Sequence, residues 1–107
     1  MVKNDAGEFV VTLGANDDGD GVVLTKSAKG KMLVQLNSTV DGDGTVTTYQ
    51  PNGKELVSLS SNDNGGVVTV TNKTGERIAQ IRADEYGNGV VFAGNRKGKG
   101  NTLQSGP

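Results

Sequence analysis

A chain of 107 residues that is 33% hydrophobic and 4% aromatic, with no Trp and 17 Gly, is short of large apolar side chains. A domain of this size usually builds its core from such residues. Having no Cys excludes a disulfide framework and thiol chemistry, and having no His removes the commonest general base. The formal net charge of −1 leaves no electrostatic footprint for nucleic acid.

In chain order, the short stretch at 2–4 reads as the end of a strand. It is followed by apolar segments at 9–13 (FVVTL), 22–25 (VVLT), 32–36 (MLVQL), 45–49 (TVTTY), 55–59 (ELVSL), 67–71 (VVTVT), 77–81 (RIAQI) and 90–94 (VVFAG). Each is rich in Val, Thr, Leu or Ile and bounded by Gly, Asn and Asp, which is the signature of a strand. Val34 with Leu36, Val57 with Leu59 and Val68 with Val70 alternate, which puts each pair on one face. Adjacent apolar pairs such as Leu33-Val34 and Leu56-Val57 supply apolar groups to the opposite face too. No segment keeps a 3.6-residue period, so helices are not expected. After Lys99 the second-strand pattern fades, and NTLQSGP reads as a cap.

The segments recur with a fixed period. Gly7, Gly30, Gly53, Gly75 and Gly98 are spaced 23, 23, 22 and 23 residues apart, and Gly21, Gly44, Gly66 and Gly89 keep spacings of 23, 22 and 23. Two columns in constant phase define a tandem repeat of about 23 residues. The units are 1–21 (truncated), 22–44, 45–66, 67–89 and 90–107. Each holds two strands and two turns. PNGK and KTGE suit hairpins with a type I turn and a left-handed glycine bulge. The opposite turns, such as NDDGDG and DEYGNG, are expected to be longer.

The acidic turns invite comparison with calcium loops. Asn16, Asp18 and Asp20 resemble the start of an EF-hand loop, and Asp41 with Asp43 is a thinner copy. The bidentate Glu is missing, because its position is Ser27. Loops rich in Asp, Asn and Gly form turns on their own account, since those side chains bond their own backbone. Thr45, Thr47, Thr69 and Thr71 are out of phase between units, as a flat threonine-based binding face does not allow. The acceptor patterns at Asn37 and Asn72 are frequent in so polar a chain. Tyr49 and Tyr86 occupy different columns, although Tyr86 breaks the pattern of its turn and is the candidate for a surface carbohydrate contact. The basic run at 95–101 reads as a solvated loop. Carboxylate pairs lie only in solvent-facing turns, where nothing is expected to shift their pKa, and no phosphate-cradling loop occurs, so the chain is not expected to be an enzyme and no cofactor is implied.

Strands with this little apolar mass need partners for their edges and second faces. A homotrimeric β-prism or β-spiral with a shared aliphatic core meets that need. A single-chain barrel or sandwich fits the strict period less well, and a propeller calls for an alternation between odd and even units that is not seen. The Val-rich strands with their G-K/E and D-x-x-G-x-G turns resemble the β-repeat shafts of trimeric fibre proteins, such as phage tail fibres and bacterial surface stalks. They also resemble repeat tails of uncharacterised bacterial proteins. The unit is longer than that of the adenovirus-type fibre spiral. The resemblance implies self-association, an elongated shape, a structural or attachment role and an extracellular or cell-surface address. The competing expectation is a carbohydrate- or calcium-binding β-repeat module. No apolar run is long enough for a transmembrane helix.

Overall fold

The computed structural model describes residues 1–106 and contains ten strands in chain order: β1 (Val2–Lys3), β2 (Phe9–Ala15), β3 (Gly21–Lys26), β4 (Met32–Ser38), β5 (Gly44–Tyr49), β6 (Glu55–Asn62), β7 (Gly65–Thr71), β8 (Arg77–Ala83), β9 (Gly89–Gly94) and β10 (Gly100–Gln104). They form one antiparallel meander in which each strand pairs with its neighbours in sequence. The sheet is a single open layer, neither closed into a barrel nor folded into a sandwich. All nine expected segments, the short one at 2–4 included, are strands, and the segment after Lys99, where the sequence pattern fades, adds a tenth.

Both sets of turns are built alike, which corrects the expectation that one set is longer. In the first set, Ser27 N donates to Lys31 O and Gly30 N to Ser27 O. In the second set, Asn16 N donates to Asp20 O and Gly19 N to Asn16 O. The fourth residue of each five-residue turn is a glycine at positive φ, for example 81° at Gly30 and 86° at Gly19, where a side chain would be strained. The turn between β6 and β7 is the exception, one residue shorter, because Asn62 pairs directly with Gly65. That shortening produces the single 22-residue spacing in each glycine column. The register shifts fall only beside the first set of turns, at Val2/Lys3, Thr25/Lys26, Thr48/Tyr49 and Val70/Thr71.

The consequence of one layer is a shortage of interior. The extents are 54 × 32 × 17 Å and the radius of gyration is 16.4 Å, against about 13 Å for a compact domain of this length. Val90 is the only buried hydrophobic residue among those described. The accessible surface is 7291 Å², about 1,700 Å² more than the ~5,600 Å² expected of a compact monomer of 11.0 kDa.

The last strand depends on a close backbone approach. A Cβ on Gly100 would overlap the backbone oxygen of Ala93, whereas one on Gly14 meets nothing within 4 Å. Gly100→Ala is therefore expected to lower stability by about 1–3 kcal/mol through displacement of β10. Gly14→Ala should leave stability unchanged or raise it slightly, because it narrows the unfolded ensemble. Denaturant unfolding of the two variants beside the parent chain checks this, and equal midpoints for both would refute it.

Candidate functional site

Cross-strand partners in an antiparallel sheet share a face, so the register assigns every strand residue to one of two faces. On the first face a ladder runs from Leu13 through Val23, Leu36, Val46, Leu59, Val68, Ile81 and Val91 to Leu103. The larger residue comes from one strand of each unit and a Val from the other, across nine consecutive strands. Leu13, Leu36, Leu59, Ile81, Val91 and Leu103 are 41–73% exposed. Two rows flank the ladder. One row carries Val11, Thr25, Val34, Thr48, Val57, Val70, Ala79 and Ala93. The other is small throughout, with Ala15 opposite Gly21, Ser38 opposite Gly44, Ser61 opposite Gly66, and Ala83 opposite Gly89. The second glycine column is thus explained by its place in this row, since these residues are not at positive φ, apart from Gly65 beside Gly66.

The second face is polar along its middle, where Gln35 pairs with Thr47, Ser58 with Thr69, and Thr69 with Gln80. These side chains bond one another across the strands. Tyr49 Oη donates to Gln35 Oε1 at 2.8 Å, and Gln80 Nε2 donates to Thr69 Oγ1 at 3.2 Å. Near its end, Arg82 pairs with Val67 and Val90, and its Nη1 is buried without a hydrogen-bond partner. The two faces therefore differ in kind. The first presents a continuous aliphatic stripe; the second mixes polar side chains bonded to one another with Leu24, Phe92 and the buried Val90.

The candidate metal ligands are placed as turn chemistry. Asn16 Oδ1 accepts the backbone N–H of Asp18 and of Asp20, each at 3.0 Å, and its Nδ2 donates to Asn37 Oδ1 and Ser38 Oγ. Asp20 Oδ2 accepts from Ser38 Oγ at 2.8 Å, and Asp43 Oδ2 accepts from Ser61 Oγ at 2.7 Å. Asp18 and Asp41 are exposed at the turn tips. Among the described residues no three His, Cys, Asp or Glu side chains gather closely enough to hold a metal ion. Asn37, part of one acceptor pattern, is half-buried in β4, and Asn72 of the other caps its turn by accepting from Thr74 N and Glu76 N.

Nor do the aromatic groups converge. Tyr49 ends β5 beside the first set of turns, whereas Tyr86 is 80% exposed on a turn at the opposite edge. A shallow groove of about 390 Å³ lies between two neighbouring turns, floored by Met32, Leu33 and Pro51 with Lys29 and Lys31 beside it. It lies beside the turns and apart from both tyrosines. The aliphatic ladder, by contrast, continues across nine consecutive strands. Sequence reading found its alternating residues strand by strand but missed Leu103, because β10 lacks the paired apolar residues of the other strands. No protein-family model matches the chain, and no curated protein matches it either.

The turn geometry yields a stability prediction. Asn16→Ala removes four hydrogen bonds and is expected to cost about 1–2 kcal/mol, within the range for a lost turn or cap side chain. Asp18→Ala should cost less than about 0.5 kcal/mol, as exposed substitutions do. Added calcium should not shift the melting temperature of the parent chain, and a calcium-dependent rise in that temperature would sink the turn reading.

Proposed function

We propose that this chain is a structural and assembly module: a β-repeat segment that self-associates, three copies around one aliphatic core, as part of a fibre or stalk. The observation that carries this reading is the exposed ladder from Leu13 to Leu103, on a sheet that has no second layer of its own. Soluble domains are built from two or more layers that cover each other's apolar faces. Here the covering layer must come from outside the chain. The surplus surface of about 1,700 Å² exceeds the ~800 Å² that each partner contributes to a standard interface.

The taper of the face favours three copies over two. A seven-residue strand is about 24 Å long, so three sheets set as the sides of a triangle stand about 7 Å from their common axis, against a half-spacing of about 5 Å in a two-layer packing. Large side chains fit near the middle of each side, and space narrows toward the corners. The rows follow that profile: Leu, Ile and Val in the middle, Val, Thr and Ala on one side, and Ala, Ser and Gly on the other. A two-layer sandwich has nearly uniform spacing and no need of the taper. The rod-like role follows from the meander, in which each two-strand unit advances the stack by about 9.6 Å along a single direction.

Light scattering on a sizing column at micromolar concentration is expected to give the mass of three chains. Leu59→Asp places a charge in the middle of the ladder and should reduce that to the mass of one chain. Ser58→Asp, one residue away and on the polar face, should leave the parent mass intact. A single-chain mass for the parent chain ends the assembly reading, and equal behaviour of the two variants removes the aliphatic face from it.

A further inference from the structure

The two turn-bearing edges of the sheet carry opposite charge. One edge holds the five turns at 4–8, 27–31, 50–54, 72–76 and 95–99; the other holds the four at 16–20, 39–43, 62–65 and 84–88. Of the 11 Lys and Arg, all but Arg82 lie on or beside the first edge. Of the 12 Asp and Glu, eight lie on the four turns of the second edge, and those turns contain no Lys or Arg. Ten cations against four anions give the first edge a net +6, and the second edge carries −8. The overall charge of −1 conceals this separation entirely. Within one copy the edges cannot neutralise each other, because a strand of about 24 Å, more than two Debye lengths at ~0.1 M salt, lies between them.

We infer that in the assembly the basic turn edge of one copy docks against the acidic turn edge of the next, closing a head-to-tail ring of three. This rests on the trimer reading above and names the contact that makes it. In a three-fold arrangement of sheets each corner brings one edge of a chain to the opposite edge of its neighbour, a heterologous contact that closes after three steps. The turns also mesh. On each edge they recur every two strands, about 9.6 Å, and because successive hairpins open to opposite sides the two edges are out of phase by one strand, about 4.8 Å. At one height along the axis each acidic turn falls between two basic ones, four fitting among five.

The charged side chains that face the corner are free to pair. Lys29, Lys31, Lys73 and Lys97 are exposed at one edge, and Asp18, Asp41, Asp63 and Glu85 are exposed at the other. Asp20 and Asp43 are held by Ser38 and Ser61 and set the turn shape instead. The docking also explains the small row of the aliphatic face. Ala15, Ser38, Ser61 and Ala83 with their glycine partners adjoin the acidic edge, where the neighbouring sheet comes closest. A polyanion is the other class of partner a basic edge alone would suit. The acidic edge of matching pitch on the same chain favours a second copy.

The test is a set of charge reversals read by solution mass, with circular dichroism as the check on strand content. Lys29→Glu, Lys31→Glu, Lys73→Glu and Lys97→Glu together make both edges acidic, and this chain is expected to run as a monomer. Asp18→Lys, Asp41→Lys, Asp63→Lys and Glu85→Lys together bring the acidic edge from −8 to zero, leave the basic edge with no complement and should do the same. Adding Lys54→Glu, Lys99→Glu and Asp17→Lys to all eight gives a first edge of −6 and a second of +2, so this chain has its edges exchanged and should regain the three-chain mass, which a merely destabilised protein would not. For the parent chain, the concentration of half-dissociation should rise at least tenfold between about 0.1 and 1 M NaCl, as the screening length falls from ~10 to ~3 Å. A three-chain mass that survives either single-edge reversal overturns the edge docking while leaving the trimer standing. A two-chain mass for the parent replaces the ring with a face-to-face pair. A parent monomer that binds heparin resin in a salt-dependent way overturns both readings in favour of a polyanion.

Discussion

The pairing repeats from unit to unit because eight of the nine turns among the described residues close in the same five-residue geometry, and the shorter turn between β6 and β7 keeps the pairing in phase. Identical turns make identical offsets, and identical offsets put the same column of each unit on the same face. A single slip would move an entire strand's aliphatic set to the other side of the sheet. The ladder from Leu13 to Leu103, the polar middle of the opposite face and the two charged edges all depend on that registration.

The turns achieve it with local chemistry. A side chain at the first position accepts backbone N–H groups two and four residues on, as Asn16, Asn72 and Asp84 do, and a glycine at the fourth position supplies the positive φ. Acidic and amide residues are therefore abundant for structural reasons. That abundance is what makes the second edge resemble a calcium loop in sequence. In the fold, Asp20 and Asp43 hold serines of the adjacent strand, Asp84 caps its own turn, and Asp17, Asp18, Asp41, Asp63 and Glu85 are exposed along one edge. Residues selected to form turns thereby also give the edge its field, which acts over the whole length of the stack.

A sheet of one layer is stabilised along its plane and not across it. Backbone ladders and cross-strand pairs hold neighbouring strands, and each pair contributes roughly 0.2–1 kcal/mol beyond its hydrogen bonds. What is missing is the burial that usually offsets chain entropy, since among the described residues Val90 alone is fully covered. Aliphatic columns repeated over nine strands are too regular and too exposed to be incidental. In the assembly proposed above the missing burial lies in an interface, and the composition, with few aromatics and many small residues, suits a narrow core shared between chains.

The sequence by itself determined the all-β class, the 23-residue unit, nine of the ten strands and the glycine-bearing turns, because strand period and turn chemistry are local and each is written within a few residues. Val34 and Leu36, or Val57 and Leu59, can be assigned to one face without any knowledge of their partners. Only the tertiary structure decided which columns line up across strands. Leu103 was invisible until β10 paired with β9 and set it against Val91. Likewise, Gly21, Gly44 and Gly66 looked like turn residues until pairing placed them beside Ala15, Ser38 and Ser61 in the small row. The segregation of charge was equally hidden, since basic and acidic turns alternate along the chain and sum to almost nothing. Folding back at every turn sends odd and even hairpins to opposite edges, and a linear order of mixed sign becomes two edges of opposite sign.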